Sequence, residues 1–325
     1  MRTTAAGSLP GTDFRGALVA MAETLPQILP WPELPARGIG SDMVGRALGL
    51  IQGLGFDLQP AGWRIIPGTS REHGTARARW RSDLDDAEEL LQGFEGVIKV
   101  GLAGPLTLAA SVERTTGDRL LADHGARREL AQALAEAVRV LRSDLARRLP
   151  GATVLVQIDE PSLVAVARGE VPTASGFSRH RAVDAPELAG ALVPLANEAV
   201  LHCCAPGDWL PLARSAGFRV VSVDTRLFTT APSLDRLGEW LAEGRALMAG
   251  VVDTSERVVR SPDALVREAL RVLRPLELDA TVLLERVDLS TACGLADWRQ
   301  QDVVGQLDNL RRAAELVAER LSERR

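Results

Sequence analysis

Two kinds of stretch alternate along the chain, short continuous apolar runs and longer amphipathic ones. The apolar runs are rich in Val, Ile and Leu and end in small or polar residues, which predicts strands buried on both faces, as in a parallel sheet. The clearest are GVIKVGLAGP (96–105), ATVLVQIDEP (152–161), EAVLHCCAPG (198–207), FRVVSVDTR (218–226), RALMAGVVDT (245–254) and ATVLLERVDLSTACG (280–294). TTAAGSLP (3–10) and the weaker GWRIIPG (62–68) supply two more.

The amphipathic stretches between these runs predict helices. In RRELAQALAEAVRVLRSDLARRL (127–149), Leu, Ala and Val recur at helical spacing with Arg between them. Ser233 and Ser261 are suited to cap helix N-termini. Residues 68–90 are polar and predict an excursion or a hairpin.

Strand–helix alternation repeated about eight times favours an α/β fold of the (β/α)8 (TIM) barrel type. A doubly wound open sheet is the alternative, although no G-x-G-x-x-G turn follows the first strand. Neither an internal repeat nor a linker interrupts the chain, so we expect residues 1–325 to form one domain.

Composition narrows the class of protein. The net charge of −5 gives no reason to expect a nucleic-acid partner. No apolar run reaches the roughly 18 residues of a membrane span, and the start has no signal-like apolar stretch, so we expect a cytoplasmic protein without a membrane partner. Three cysteines in a reducing compartment do not form a disulfide framework. Of the 38 basic residues, all but Lys99 are arginine, and we attribute this bias to the base composition of the genome.

The candidate chemistry gathers at the predicted strand ends, which in a barrel meet at the face that carries active sites. Scarce residue types cluster there, in particular histidine and all three cysteines. The strand-end residues are Ser8, Gly104, Asp159, Glu160, His202, Cys203, Cys204, Asp224, Asp253 and Cys293.

Four of these side chains suit a tetrahedral zinc site. His202 and Cys204 are two residues apart on one strand and therefore point the same way, whereas Cys203 points toward the helices. Asp224 ends the next strand and Cys293 follows the last, and soft thiolates favour zinc over magnesium or calcium. Alternatively, the cysteines are small buried hydrophobic residues and Asp224 caps a helix.

Other polar residues have simpler interpretations. In QIDEP, Asp159 and Glu160 point to opposite sides, so one of them faces the barrel mouth and the other can cap a helix. His73, His124 and His180 lie in polar segments and are expected at the surface.

A series of short motifs in the same order resembles the catalytic half of cobalamin-independent methionine synthase and its short stand-alone relatives. The resemblance covers nearly the whole chain. The motifs are AGSLP, SDMVGRAL, GLAGPLTLA, QIDEPSL, LHCC with VSVD, GVVD, and ACGL.

The resemblance implies a (β/α)8 barrel in which His202, Cys204, Asp224 and Cys293 hold Zn2+. It also implies methyl transfer to the thiol of homocysteine, forming methionine. This reaction suits a zinc site, because a zinc-bound thiol loses its proton at neutral pH and becomes a nucleophile. Ser8 and Asp159 match positions that hold the amino acid. Asp253 matches the end of the seventh strand and is a candidate catalytic residue.

Departures from the family pattern affect the methyl donor and the acceptor. The glutamate that binds the amino group is replaced by Gly45, and the proposed proton donor by Ser255. The acidic zinc ligand is Asp224 in place of glutamate. Two folate-contacting residues are Ser111 and Ala165, and the N-terminal half of the full-length enzymes has no counterpart. We therefore expect a methylated corrinoid or its carrier protein, in place of polyglutamyl methylfolate, as donor.

Three alternatives remain at this point. The acceptor is a different thiol, which Gly45 would permit; or the chain is a non-catalytic barrel that binds zinc or a corrinoid; or it is a metal-free relative of the uroporphyrinogen decarboxylase type. A metal-free protein of the uroporphyrinogen decarboxylase type would not need four convergent metal ligands. Metal analysis and turnover with homocysteine separate these alternatives.

Overall fold

In the computed structural model, which describes residues 1–323, seven parallel strands form one sheet, and their order across the sheet is their order along the chain. Each strand pairs with the next one along the chain in that order, as expected for strand–helix–strand units. The strands are β1 Ile28–Pro30, β4 Val97–Ala103, β5 Thr153–Asp159, β6 Ala199–Cys203, β7 Val220–Asp224, β8 Ala246–Val252 and β9 Val287–Thr291.

The first residues of the chain bridge both edges of this sheet, so the sheet is curled. Thr3 forms a parallel bridge with Leu289 of β9, and Ser8 forms one with Glu33, just after β1. The amides of Thr4 and Leu9 donate to the carbonyls of Leu289 and Glu33 at 3.0 and 2.8 Å. The fold is therefore α/β with a curled parallel sheet, as the sequence predicts.

Helices cover the outer, convex face of the sheet, and their buried positions form the main core. They are α1 Phe14–Thr24, α2 Met43–Leu50, α3 Arg71–Leu90, α4 Pro105–Ser111, α5 His124–Arg148, α6 Leu163–Arg168, α7 Ala185–Leu192, α8 Leu210–Ala216, α9 Ala231–Ala242, α10 Pro262–Leu273, α11 Ala280–Arg286 and α12 Gln300–Ser322. Among the described helices, none is long and apolar enough to cross a membrane.

Side chains on the concave face change character along the strands. A small separate cluster of Ile28, Val200 and Met248, with Val97, Leu155 and Val220 packed against it, lies among the beginnings and middles of the strands. Further along, the same faces carry polar residues, including Lys99, Gln157, Asp159, His202 and Ser222. Because alternate strand residues share a face, this pattern places polar chemistry at the carboxyl ends of the strands.

The structure corrects several details of the sequence-based prediction. The strand at 28–30 was not predicted, whereas 62–66 belongs to an antiparallel hairpin of β2 (Gly55–Gln59) and β3 (Gly62–Ile66) outside the main sheet. The polar region predicted as an excursion or hairpin is helix α3, whose buried positions His73, Ala76, Trp80 and Ala87 recur at helical spacing. The last apolar run begins as helix α11, and its strand starts only at Val287.

Helix capping explains where some helices begin. Ser261 caps α10 as predicted. Ser233 lies in the first turn of α9, where it forms a reciprocal capping box with the true cap, Thr230.

Candidate metal centre

The end of β6 and the segment after β9 bring three potential metal ligands together. One ligand atom each from His202, Cys204 and Cys293 lies within 4.8 Å of the other two. The two Sγ atoms are 3.8 Å apart. Cys203 points away from this group and packs in the main hydrophobic core, as strand alternation predicts.

The geometry of the group fits zinc. Two thiolates bound at about 2.3 Å in a tetrahedral site would have sulfur atoms about 3.8 Å apart, which matches the observed separation. His202 Nδ1 makes a 3.1 Å hydrogen bond with Ser222 Oγ. Such a bond fixes the ring of a metal-binding histidine and leaves Nε2 available to the ion.

Hydrogen bonds within the group favour the anionic form of one sulfur. The Cys204 thiol and His202 donate hydrogen bonds to Cys293 and lower its pKa to about 4. The same contact with Cys293 raises the pKa of Cys204. Burial acts to lower the pKa of His202, but its hydrogen bond to Cys293 and the charges of Asp159 and Cys293 outweigh burial and raise it. Thiolates are the form of cysteine that binds metals.

The predicted ligand Asp224 is not part of the three-residue group and instead forms an ion pair with Arg226. Its carboxylate accepts hydrogen bonds from Arg226 N, Nε and Nη2 at 3.0, 3.0 and 2.7 Å. The same guanidinium lies 2.5 Å from Asp253 and 3.1 Å from Ser255 Oγ. Partial burial acts to raise the pKa of Asp253, but hydrogen bonds from the Ser255 hydroxyl and amide, together with the charge of Arg226, outweigh burial and lower it. Asp224 and Asp253 thus share one cation beside the cysteine–histidine group.

A cavity of about 150 Å³ adjoins His202, Cys204 and Cys293. Both residues predicted to hold the substrate, Ser8 and Asp159, line it. The Ser8 hydroxyl lies so close to Gly294 that a Cβ there would collide with it. The cavity is lined by Ala6, Ser8, Glu33, Pro35, Met43, Gln157, Asp159, Pro161, His202, Cys204, Cys293 and Gly294.

A buried hydrogen-bond chain supports the floor of this cavity. Lys99 is 1% exposed and donates to the Ala6 carbonyl at 3.2 Å and to Gln157 Oε1. Gln157 Nε2 in turn donates to Asp159 Oδ1 at 2.7 Å. Because Lys99 can only donate, it fixes the orientation of the Gln157 amide and turns the amide nitrogen toward Asp159. Burial lowers the pKa of Lys99 to about 8, although nearby Asp159 and Glu33 act to raise it.

The helix-capping interpretation is confirmed for Glu160, the neighbour of Asp159. Its carboxylate accepts from the amides of Leu106 and Thr107 at 2.9 and 2.8 Å and from the Thr107 hydroxyl at 2.6 Å. These groups begin helix α4, so Glu160 caps that helix and stabilises its N-terminus.

The remaining histidines lie outside the group of His202, Cys204 and Cys293. His124 is exposed, as expected, and pairs with Glu187. The surface prediction was wrong for the other two. His73 is buried with a 3.0 Å hydrogen bond to the Leu48 carbonyl, and His180 is buried beside Asp118.

Sequence reasoning missed two residues of the site, Glu33 and Arg226. Glu33 follows the unpredicted strand β1, so no strand end pointed to it. Arg226 stands two residues after Asp224, a spacing that lets the side chain turn back to the carboxylate, but arginine is too common in this chain to mark it.

Two of three comparisons with known proteins gave a match. The sequence model of the family described as "Cobalamin-independent synthase, Catalytic domain" matches residues 95–316. A B12-independent methionine synthase from Shewanella sp. W3-18-1, solved in complex with selenomethionine, is 15% identical, with 99% of this chain and 98% of that chain covered and a TM-score of 0.61. This likeness shows a shared fold. A GH20 β-N-acetylhexosaminidase from Streptomyces coelicolor A3(2) is 12% identical, with 72% of this chain and 60% of that chain covered. Its TM-score of 0.29 is too low to indicate a shared fold. No curated protein matches the sequence.

Proposed function

The chain belongs to the family of the cobalamin-independent methionine synthase catalytic domain, and from this premise we propose that it is a zinc-dependent methyltransferase that forms methionine from homocysteine. One observation supports this most strongly. His202, Cys204 and Cys293 converge beside a cavity that Ser8 and Asp159 also line. The family suggests the reaction, and this donor set suits the metal that the reaction needs.

In this proposal His202, Cys204 and Cys293 hold Zn2+. Bound zinc would lower the pKa of the acceptor thiol so that it reacts as a thiolate at neutral pH. Ser222 fixes the His202 ring. Ser8 and Asp159 hold the amino-acid part of the acceptor, so that its sulfur lies in line with the methyl group of the donor. The new sulfur–carbon bond forms as the donor's bond to methyl breaks, and the electron pair of that bond leaves with the donor.

Asp224 is proposed as the fourth protein ligand, as the sequence predicts. To reach the metal its carboxylate must give up Arg226, which holds it through three hydrogen bonds. Asp253 would remain as the partner of Arg226 after that exchange, since the two already form an ion pair. The proposed catalytic role of Asp253 therefore reduces to the orientation of this arginine.

The same proposal includes a closed barrel within one domain of residues 1–325. Residues 3–8 would act as the eighth parallel strand, because they bridge β9 at Thr3 and the end of β1 at Ser8. Closure would place the ends of all strands, and with them the site, around one mouth.

The comparisons do not support the methylcorrinoid donor that the sequence predicts. The family is named for its independence of cobalamin, which favours a methylfolate donor. We therefore propose methylfolate and expect Ser111 and Ala165, which lack the family's folate contacts, to weaken its binding. Methionine formed per minute from methylfolate and from methylcobalamin at equal concentration tests this. Faster turnover with methylcobalamin would restore the sequence-based expectation.

Metal content tests the site itself. We expect about one zinc per chain in the wild-type protein and in Cys203→Ala, and a large loss in Cys204→Ser. The two cysteines are adjacent in sequence, so the pair of variants is a matched control. Full zinc in Cys204→Ser, or none in the wild-type protein, would contradict the proposal. Zinc without methyl transfer from either donor would instead favour a binding protein.

A further inference from the structure

Two buried carboxylates at the cavity each have one oxygen engaged and one oxygen free. Glu33 Oε2 lies 3.0 Å from Arg46 Nη1, and Asp159 Oδ1 accepts from Gln157. Within residues 1–323, no hydrogen bond is made to Glu33 Oε1 or to Asp159 Oδ2. The two residues are only 7% and 8% exposed, and both line the cavity. Free acceptors on side chains this deeply buried call for a donor.

Both free oxygens approach the same point. A Cβ built on Gly101 would collide with Glu33 Oε1 and lie 3.0 Å from Asp159 Oδ2. A Cβ on Gly7 would lie 2.7 Å from the same Glu33 oxygen. Glycines at 7 and 101 thus leave room around a spot where one small donor group can reach both carboxylates.

The neighbouring cations do not fill this spot. Lys99 is committed to the Ala6 carbonyl and to Gln157. Arg46 stacks on the Trp80 ring, with its guanidinium carbon 4.7 Å from the ring centre. These two cations offset the charges of the acids but leave the acceptor capacity of the two oxygens unused. An ammonium group, with three donors and no acceptor, matches that capacity.

We propose that Glu33 and Asp159 together bind the ammonium group of the acceptor, so that the site selects thiols that are also amino acids. This inference rests on the proposed function, because it takes the acceptor thiol to lie at the His202, Cys204 and Cys293 group of the same cavity. It names Glu33 as the residue that determines specificity.

Glu33 also removes the difficulty raised by Gly45. Position 45 has no room for a side chain. A Cβ there would lie 2.7 Å from Asp42 Oδ2, 2.8 Å from the Cα of Gly40 and 3.0 Å from the Trp63 ring. The carboxylate that the family pattern places on helix α2 comes in this chain from the end of strand β1. Loss of glutamate at position 45 therefore does not imply a change of acceptor.

Binding of two matched thiols to the zinc-loaded protein tests the inference. Homocysteine and 4-mercaptobutanoate have the same thiol, chain and carboxylate, but the second lacks the amino group. Isothermal titration should show that Glu33→Gln weakens homocysteine binding about ten-fold or more, while 4-mercaptobutanoate binding changes less than about two-fold. Gly101→Ala should act in the same direction. The exposed Glu129→Gln is the control and should change neither affinity.

An equal loss for both thiols in Glu33→Gln, or an unchanged affinity for homocysteine, would overturn the assignment. Zinc content and the far-UV circular dichroism of each variant show that the site and the fold remain. If neither thiol binds the wild-type protein, the proposed function fails, and this inference fails with it. If the wild-type protein binds both thiols equally, the proposed function survives and only the ammonium site is refuted.

Discussion

The burial of the only lysine makes the stability of this protein depend on alkaline pH in a predictable way. Burial lowers the pKa of Lys99 from its ordinary value of 10.5 to about 8, and the charges of Asp159 and Glu33 offset only part of that effect. At 1.36 kcal/mol per pH unit, the difference corresponds to about 3 kcal/mol. This is the free energy by which folding disfavours the protonated form of Lys99.

The sign follows from proton binding. Between pH 8 and pH 10.5 the unfolded chain keeps the proton of Lys99 while the folded protein has lost it. The free energy of unfolding therefore rises with pH through this window, and the full cost is present below it. The chain has no tyrosine and no other lysine. The cysteines and the N-terminus are the other groups that ordinarily titrate here, and they are shared by any Lys99 variant.

Comparison with Lys99→Met isolates the effect. Urea unfolding, followed by tryptophan fluorescence, should show the wild-type protein gaining about 3 kcal/mol relative to Lys99→Met between pH 8 and pH 10.5. Labelling with 13Cε-lysine gives one NMR signal, which reports the pKa directly even if the variant does not fold. A pKa of 10 or above in the folded protein, or a difference in stability that does not change with pH, would refute the reasoning.

Three further predictions concern the proposed metal site and the N-terminus of helix α4. Arg226→Met should raise zinc affinity about ten-fold by freeing Asp224, whereas Asp224→Asn should lower zinc affinity. Competition with a chelator measures both affinities. An unchanged affinity in both variants would show that Asp224 is not a zinc ligand. Ser222→Ala should cost about ten-fold or more in zinc affinity, because the His202 ring loses its partner; the same titration checks it, with an unchanged affinity as the contrary result. Glu160→Ala should lower the free energy of unfolding by about 3 kcal/mol, because the first amides of α4 lose their acceptor; denaturant unfolding measures this, and a change below about 1 kcal/mol would contradict it.

The convergence of His202, Cys204 and Cys293 could be predicted because it depends on local rules. Two-residue alternation in β6 separates Cys204 from Cys203, and Cys293 follows a strand that ends on the same side of the sheet. Scarcity also helped, since three cysteines in 325 residues stand out in a way that arginines do not.

Other parts of the site depend on contacts that sequence does not display. Strand β1 has three residues and contains or adjoins prolines at 26, 30 and 32, so its pattern is too short and too interrupted to indicate a strand. Glu33 follows this strand and was therefore not predicted as a residue of the site. The partner of Asp224 depends on how one long arginine side chain folds back, which no periodicity encodes. Helix α3 was misread because its buried face includes His73 and Asp83 besides apolar residues.

Dependence of methyl transfer on the metal group tests the central claim most directly. The rate of methionine formation from homocysteine and methylfolate should be measured for zinc-loaded wild-type protein, for the chelated protein, and for Cys204→Ser beside Cys203→Ala. We predict that zinc-loaded wild-type protein and Cys203→Ala form methionine, and that chelation and Cys204→Ser abolish it. Undiminished methionine formation by the chelated protein or by Cys204→Ser would contradict the account.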